Sequence, residues 1–264
     1  AAHGHGTGDL LDEVVAALPV QAEEPEYPED ALRVAIIGRP NVGKSSITNR
    51  FAGKNRSIVS DVAGTTRDAL DVVVEREGKR YRLVDTAGMR KRNLVHEDVE
   101  YYSLVRGLRA IDEADVCLLV VDASEGVTEQ DQKVAGLAIE RGCALVILLN
   151  KWDLVRTDEK REDVMMSVAR RMTFAPWAPV IRVSALTGRS LDKVWAVVDR
   201  VGAAHASKIS TNALNNLLAS MRESGHTVTK GAKRLRIQYA NQTGNCPPAL
   251  TFFCNFPELI DDNF

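Results

Sequence analysis

The sequence predicts an α/β chain, with a mostly parallel, doubly wound sheet over residues 31–204 and a small α/β module over residues 205–264. Three observations support this. From Ala31 onward, apolar runs of strand length alternate with segments of helical spacing. Most of those runs are near-continuous Val, Ile and Leu, the pattern of strands buried on both faces of a parallel sheet. Beyond residue 205 the alternation gives way to one helix and two strand-like runs, punctuated by Asn, Gly and Pro.

Taken in order, residues 1–18 read as a helix from Leu10 to Leu18 with Asp9 in the capping position. Residues 19–30 hold three prolines and five carboxylates and little apolar matter, so they read as an acidic linker. The predicted strands are Leu32–Ile37, Asp71–Arg76, Tyr81–Asp85, Val116–Asp122, Ala144–Asn150 and Val180–Ser184. Glu77-Gly78-Lys79 joins the second and third as a hairpin. Helices are expected over Ser46–Phe51, over Glu129–Arg141 with Gly142 behind it, and over Leu191–Ala204, where Leu191, Val194, Trp195 and Val198 share one side. The C-terminal module is read as a helix over Thr211–Glu223, a strand over Arg234–Tyr239, a turn over Asn241–Asn245 and an apolar strand over Ala249–Phe256. Leu11-Asp-Glu-Val14 and Leu191-Asp-Lys-Val194 each follow a glycine-bearing turn, a faint internal repeat.

The bulk composition narrows the classes. An apolar content of 45% over 264 residues is enough for a large core. A net charge of −2 gives no global sign of nucleic-acid binding, so a basic surface would have to be local. Cys117, Cys143, Cys246 and Cys254 form no C-x-x-C pair and read as buried free thiols in a reducing compartment. With no long apolar run and no leader-like segment, a cytoplasmic, soluble protein is expected.

One motif carries most of the chemistry. Gly38-Arg-Pro-Asn-Val-Gly-Lys44-Ser45 fits G-x-x-x-x-G-K-[ST] and lies between the first strand and the helix opening at Ser46. Its backbone N–H groups, from Gly38, Pro40, Asn41, Val42, Gly43 and Ser46 as loop residues (proline supplying shape rather than a donor), can wrap phosphates. Lys44 can reach the outer phosphates and the Ser45 hydroxyl can ligate Mg²⁺. Asp85-Thr-Ala-Gly88 ends a strand, where Asp85 can hold Mg²⁺ through water and the Gly88 N–H can approach a γ-phosphate. Asn150-Lys151-Trp-Asp153 follows a buried strand, and the Asp153 carboxylate suits the two N–H donors that guanine has and adenine lacks. At about 1.5–3 kcal/mol per charge-assisted bond, two such bonds give a preference on the order of a hundredfold to ten-thousandfold. Ser184-Ala185-Leu186 ends the next strand, where its backbone could meet the base edge. Gly64-Thr-Thr66-Arg-Asp68 suits a mobile loop whose hydroxyl ligates Mg²⁺ beside a γ-phosphate. Capped turns and surface loops use the same residue types, so the order of the five segments carries more than any one of them.

In that order the segments resemble the translation-factor-related GTPases, and their spacing resembles the Era-like branch. Asn150-Lys-Trp-Asp153, the Gly64–Asp68 loop, and a tail with Arg234-Leu-Arg-Ile-Gln-Tyr-Ala-Asn-Gln242, Pro247-Pro248 and Phe252-Phe-Cys-Asn255 look like the Der family, also called EngA. That resemblance implies two tandem G domains and a C-terminal KH-like domain. Residues 1–18 would be the end of a first G domain absent from this chain, 31–204 the second G domain, and 205–264 an incomplete KH-like domain. GTP or GDP and Mg²⁺ are the implied ligands, with the large ribosomal subunit and rRNA as implied partners. Hydrolysis would serve ribosome assembly; a nucleotide-gated RNA-binding scaffold is the alternative, and a metabolic kinase is disfavoured because Asn150–Asp153 would have no role in it.

The resemblance also shapes the expected mechanism. Met89 stands where Ras-like GTPases carry a water-orienting glutamine, so catalysis must draw on other groups. Asn41 could hold a K⁺ ion across the phosphates, with backbone carbonyls around Ser60 and Val62 completing its shell, or simply brace the loop. Thr66 matches the Mg²⁺ ligand. Glu97 and Glu100 could orient water but also read as a solvated helix face. Arg90, Lys91 and Arg92 could contact RNA or a partner domain, or be solvated. In the tail, Lys230, Lys233, Arg234 and Arg236 cluster, and Arg234 and Arg236 would alternate onto one strand face that could meet phosphates, dock the G domain or guard an edge. No G-x-x-G loop occurs in 205–264.

Overall fold

The computed structural model describes residue 13 and residues 27–54, 57–58, 71–84, 107–224, 229–230 and 233–260. A seven-stranded sheet dominates. Its strands are β1 (Leu32–Ile37), β2 (Ser57–Ile58), β3 (Val72–Arg76), β4 (Lys79–Val84), β5 (Val116–Asp122), β6 (Ala144–Asn150) and β7 (Val180–Arg182), in the order β2-β3-β4-β1-β5-β6-β7. Pairings β1–β4, β1–β5, β5–β6 and β6–β7 are parallel, and the β2–β3–β4 edge is antiparallel. Glu77 and Gly78 both take positive φ, 52° and 76°, and make the tight hairpin turn between β3 and β4.

Alternation along the central strands splits the core in two. Ala35, Cys117, Leu119, Val121, Leu145, Ile147 and Leu149 face one cluster, which is closed by α2 (Glu129–Glu140) and α3 (Asp158–Arg171). Val34, Ile36, Val116, Leu118, Val120, Val146 and Leu148 face the other, closed by α1 (Lys44–Lys54) and α4 (Leu191–His205). The anchor of the second layer is Trp195, whose ring lies 4.6 Å from that of Phe51 and 4.5 Å from that of Tyr81. As predicted from their spacing, Leu191, Val194, Trp195 and Val198 are all buried. A fully buried helix face against a fully buried sheet face is what makes this a doubly wound arrangement.

Two helical pieces escape the sequence reading. Residues 107–113 are helical, and α3 covers a stretch to which the sequence reading gave no element. α3 is rich in charge and buries only Val164 and Val168, so its apolar periodicity is faint; Thr157 caps it by accepting from the Lys160 N–H. Beyond α4 come α5 (Thr211–Glu223), the two short strands β8 (Thr229–Lys230) and β9 (Lys233–Arg234), and the hairpin β10 (Ile237–Asn245) with β11 (Pro248–Cys254). Leu214 and Leu218 of α5 pack on Ala240, and the Asn215 side chain bonds both the N–H and the C=O of Ala240.

Here two expectations need correction. The strand read over Arg234–Tyr239 is broken: β9 ends at Arg234, β10 starts at Ile237, and the Arg236 N–H donates instead to Asn255 Oδ1. The simple alternation that would align Arg234 with Arg236 is therefore lost. Asn241–Asn245 is strand, not turn; the reversal falls on Cys246-Pro247, because Pro247 has no N–H for the ladder. Gln242 Nε2 and Oε1 bond the Ser207 carbonyl and the Ile209 N–H, holding the hairpin to the segment between α4 and α5. The hairpin tip meets the sheet: Pro247 lies against Gly142, where an added Cβ would come within 2.9 Å of the ring, and His205 Nε2 sits 2.7 Å from the Gly142 carbonyl. Cys117 and Cys143 are buried as expected, whereas Cys246 is exposed and Cys254 half-buried.

Asp115, just before β5, ties the base of the sheet together by accepting from the Arg33 backbone and guanidinium. Burial alone would raise its carboxyl, but the Arg33 bonds more than offset this and hold it below the ordinary carboxylate value. A depressed folded-state value contributes stability above the unfolded value and loses it as pH falls through the folded one. Asp115→Asn is therefore expected to flatten the loss of stability on acidification below about pH 4, read from urea midpoints across a pH series. An unchanged acid slope would remove this pair from the account.

Candidate functional site

The carboxyl ends of β1, β5 and β6 converge on one edge, and the connections that leave them build the site. After β1, the chain turns through Gly38–Gly43 into α1. Gly38 has φ 134° and an added Cβ would lie 2.4 Å from the Val120 carbonyl oxygen; Gly43 has φ 104° and an added Cβ would lie 2.2 Å from Asn150 Nδ2. Only glycine fits at both places, and Asn41 also takes positive φ, 64°. The first turn of α1 carries no carboxylate, in contrast to α2 and α3, so its N–H groups face no competing negative charge. Lys44 Nζ donates to the carbonyls of Gly38 and Arg39 at 2.6 and 2.5 Å, which keeps the ammonium inside the loop.

An anchor that the sequence reading missed holds this loop from outside. Arg39 Nε donates to Asp131 at 3.0 Å and its Nη2 to Glu125 at 2.9 Å. Asp131 is fully buried and also accepts from the Thr128 N–H and hydroxyl, while Thr128 Oγ1 caps α2. The signal was present: Thr128-Glu-Gln-Asp131 has capping-box spacing. What it did not say is that the same carboxylate would reach the loop after β1. The Arg39 guanidinium is thereby directed away from the loop interior.

Opposite the loop stands the end of β6. Asn150 is buried and bridges two segments, donating from Nδ2 to the Val42 carbonyl at 2.8 Å and accepting the Ala185 N–H on Oδ1 at 2.9 Å. Lys151, at φ 60°, donates to Asp122 at 2.5 Å. Burial would raise the Asp122 carboxyl, but Lys151 and Ser124 hold it below its ordinary value, and their bonds to it pin the turn. Arg50, which the motifs did not flag, reaches from α1 to the carbonyls of Ala185 and Leu186 at 3.1 and 2.5 Å. The result is a cavity of about 530 Å³ whose walls include Gly43, Ser46, Lys151, Asp153, Ala185 and Leu186. Ser184 is buried with its Oγ accepting from the Thr187 N–H, and it braces the loop rather than lining the cavity.

Asp153 has one carboxylate oxygen, Oδ1, that is buried without a hydrogen-bond partner. Asp153 belongs to the cavity lining, and a buried acceptor without a partner costs free energy unless a donor arrives. Ser45 opens α1 beside Lys44. Thr66, Asp85, Gly88 and Met89, together with Ser60, Val62, Arg90, Lys91, Arg92, Glu97 and Glu100, lie outside the described residues. So do residues 1–18 apart from Glu13, and most of the acidic linker. Among the described residues no helix is long and apolar enough to cross a membrane.

Removing the Asn150 bridge tests how far the site is one unit. Asn150→Ala leaves the Val42 carbonyl and Ala185 N–H without their partner, and the expected loss is about 2–4 kcal/mol in urea unfolding. A loss under about 0.5 kcal/mol would mean that the two loops are held independently.

Comparison with known proteins agrees with this architecture. Residues 33–151 match the family described as 50S ribosome-binding GTPase, and residues 208–264 match the KH-domain-like C-terminal region of EngA bacterial GTPases. The chain is 51% identical to the GTPase Der of Heliobacterium modesticaldum over 261 residues, and 43% identical to that of Caldanaerobacter subterraneus over 261 residues. In each case 98% of this chain and 59% of the relative are covered, so the chain spans under two thirds of the curated relatives it matches. A bacterial selenocysteine-specific elongation factor shares the fold at 16% identity and a TM-score of 0.50, over 87% of this chain and 45% of that one. A phosphate-loop sheet followed by an EngA-type KH-like module, at this identity over nearly the whole chain, places the chain in the Der (EngA) family of GTPases.

Proposed function

We propose that this chain binds GTP and GDP in the cavity between the Gly38–Gly43 loop and the Asn150–Asp153 and Ser184–Leu186 segments, and hydrolyses GTP to GDP and phosphate. The observation that carries the reading is the buried, unpartnered Asp153 oxygen on the cavity wall. Guanine presents an N1–H and the adjacent 2-amino group to such a carboxylate, whereas adenine has no N1–H and carries its amino group on C6. The glycine loop with its carboxylate-free helix start suits the phosphates, and Lys44, already inside the loop, can turn from the loop carbonyls to the β- and γ-phosphates. Mg²⁺ would be held by the Ser45 hydroxyl with Thr66 and Asp85, where it neutralises charge developing on the phosphates.

For hydrolysis the chain has no glutamine at Met89, and Arg39 is committed to Asp131 and Glu125. Neither can orient water or stabilise the transition state. Asn41, exposed at the loop crest, is then the residue best placed to bring a K⁺ ion to the phosphates, and Gly88 offers its N–H to the γ-phosphate. Turnover is expected to be slow without a partner. We read residues 31–204 as the catalytic G domain, 205–264 as the KH-like domain, 19–30 as linker and 1–18 as the end of a preceding G domain. By family membership the partner is the large ribosomal subunit with its rRNA, in the cytoplasm, and GTP binding times the association.

Asp153→Asn exchanges an acceptor for a donor. GTP affinity is expected to fall at least a hundredfold while xanthosine triphosphate gains, measured by competition against a fluorescent nucleotide. An unchanged GTP affinity would take Asp153 out of the base site. Hydrolysis is expected to run faster in K⁺ than in Na⁺ at equal ionic strength, and Asn41→Ala is expected to abolish that difference. Equal turnover of the unaltered chain in both salts would end the potassium reading. Co-sedimentation with large subunits in GDP and in a non-hydrolysable GTP analogue tests the partner, a nucleotide-independent result counting against a timing role.

A further inference from the structure

The described residues hold a second cavity, of about 350 Å³, along the edge strand β7, and the nucleotide reading does not use it. Trp152, Ile181, Arg182, Arg189, Ser190 and Lys193 line it with two further apolar side chains, and no carboxylate does. Its three cations come from three places in the chain: the strand, the loop before α4, and the first turn of α4. None of them has an ion pair among the described residues. Other cations of the sheet domain do have partners, with Arg33 on Asp115, Arg76 on Asp192 and Lys79 on Asp199. Arg182 stands over the Trp152 ring at 5.0 Å, which orders its guanidinium at the cleft without neutralising it. The loop that feeds β7 exposes two aromatic rings, Phe174 at 40% and Trp177 at 56%. Unpaired cations in one cleft, with exposed rings on the loop that leads into its edge strand, suit an extended polyanion that carries bases. An acidic peptide adding to the sheet is the poorer fit, because β7 offers only three residues of edge.

We propose that this cleft binds the phosphate backbone of single-stranded RNA, with Phe174 and Trp177 as stacking partners for its bases. The choice of RNA over DNA rests on the ribosomal reading above; the cleft itself does not. Its Trp152 is the sequence neighbour of Lys151 and Asp153, which line the nucleotide cavity. The sequence reading looked for RNA contacts in the C-terminal module, where Lys233 is instead paired with Glu258 at 2.8 Å.

The test uses the full chain and a fluorescent twelve-nucleotide oligouridine, by anisotropy over a salt series, without nucleotide. Arg189→Glu/Lys193→Glu is expected to weaken binding at least tenfold and to make the log–log salt slope shallower by about 1.4, about 0.7 for each phosphate that is no longer neutralised. Trp177→Ala is expected to weaken binding about tenfold with the salt slope unchanged. Arg236→Glu, in the C-terminal module, is expected to leave both quantities alone. Wild-type affinity and slope in the double variant, tighter binding of oligothymidine or oligoglutamate, or equal binding of duplex RNA would each overturn the proposal. GDP affinity reports the fold of each variant, and Arg189→Gln and Lys193→Gln replace the double variant if it fails to fold. Because the RNA arm runs without nucleotide, its failure is distinct from failure of the guanine reading.

Discussion

Strands β5 and β6 have no solvent face: every residue of both is buried. The rest of the molecule follows from that constraint. Two apolar layers must cover the sheet, so helices occupy both faces, and no polar group can be placed along the strands without losing its water. Function is forced to the strand ends. At the carboxyl edge the chain emerges with Asp122 and Asn150, both buried and both fully engaged, and those two side chains organise what lies above the sheet.

The loops of the site are held by side chains rather than by secondary structure. Asn150 joins the phosphate loop to the Ser184–Leu186 turn, Arg50 joins that turn to α1, and Arg39 fixes the phosphate loop to the start of α2. Each bond spans a large sequence distance, and together they make one body of segments that would otherwise move separately. Asp153, a residue of the cavity lining, is the exception, with one buried acceptor, Oδ1, that has no partner. Among the described residues only two buried side-chain oxygens lack a partner, Asp153 Oδ1 and Asn241 Oδ1, and only Asp153 belongs to the cavity lining.

Much of the fold was legible residue by residue. The three central strands were read with the ends they have, because uninterrupted Val, Ile and Leu between turn residues admit little else. The glycine loop was legible because its spacing is dictated by backbone geometry. α3 was not, since a helix that buries only two of its side chains leaves almost no periodic trace. The C-terminal hairpin was misplaced by several residues because Asn, Thr and Gly suggest a turn locally, while the pairing of Asn241–Asn245 with β11 is decided by the partner strand.

By itself the sequence determined the layered sheet, the glycine loop after β1 and the Asn150–Asp153 turn after β6, all of which depend on local patterns of a few consecutive residues. Only the tertiary structure decided that Arg39 is tied outward to Asp131, that Arg50 grips the Ser184–Leu186 turn, and that Arg182, Arg189 and Lys193 line one cleft. These are contacts between residues far apart in the chain. No spacing encodes them; they exist because the two apolar layers, once packed, bring specific strand ends and helix starts to the same edge.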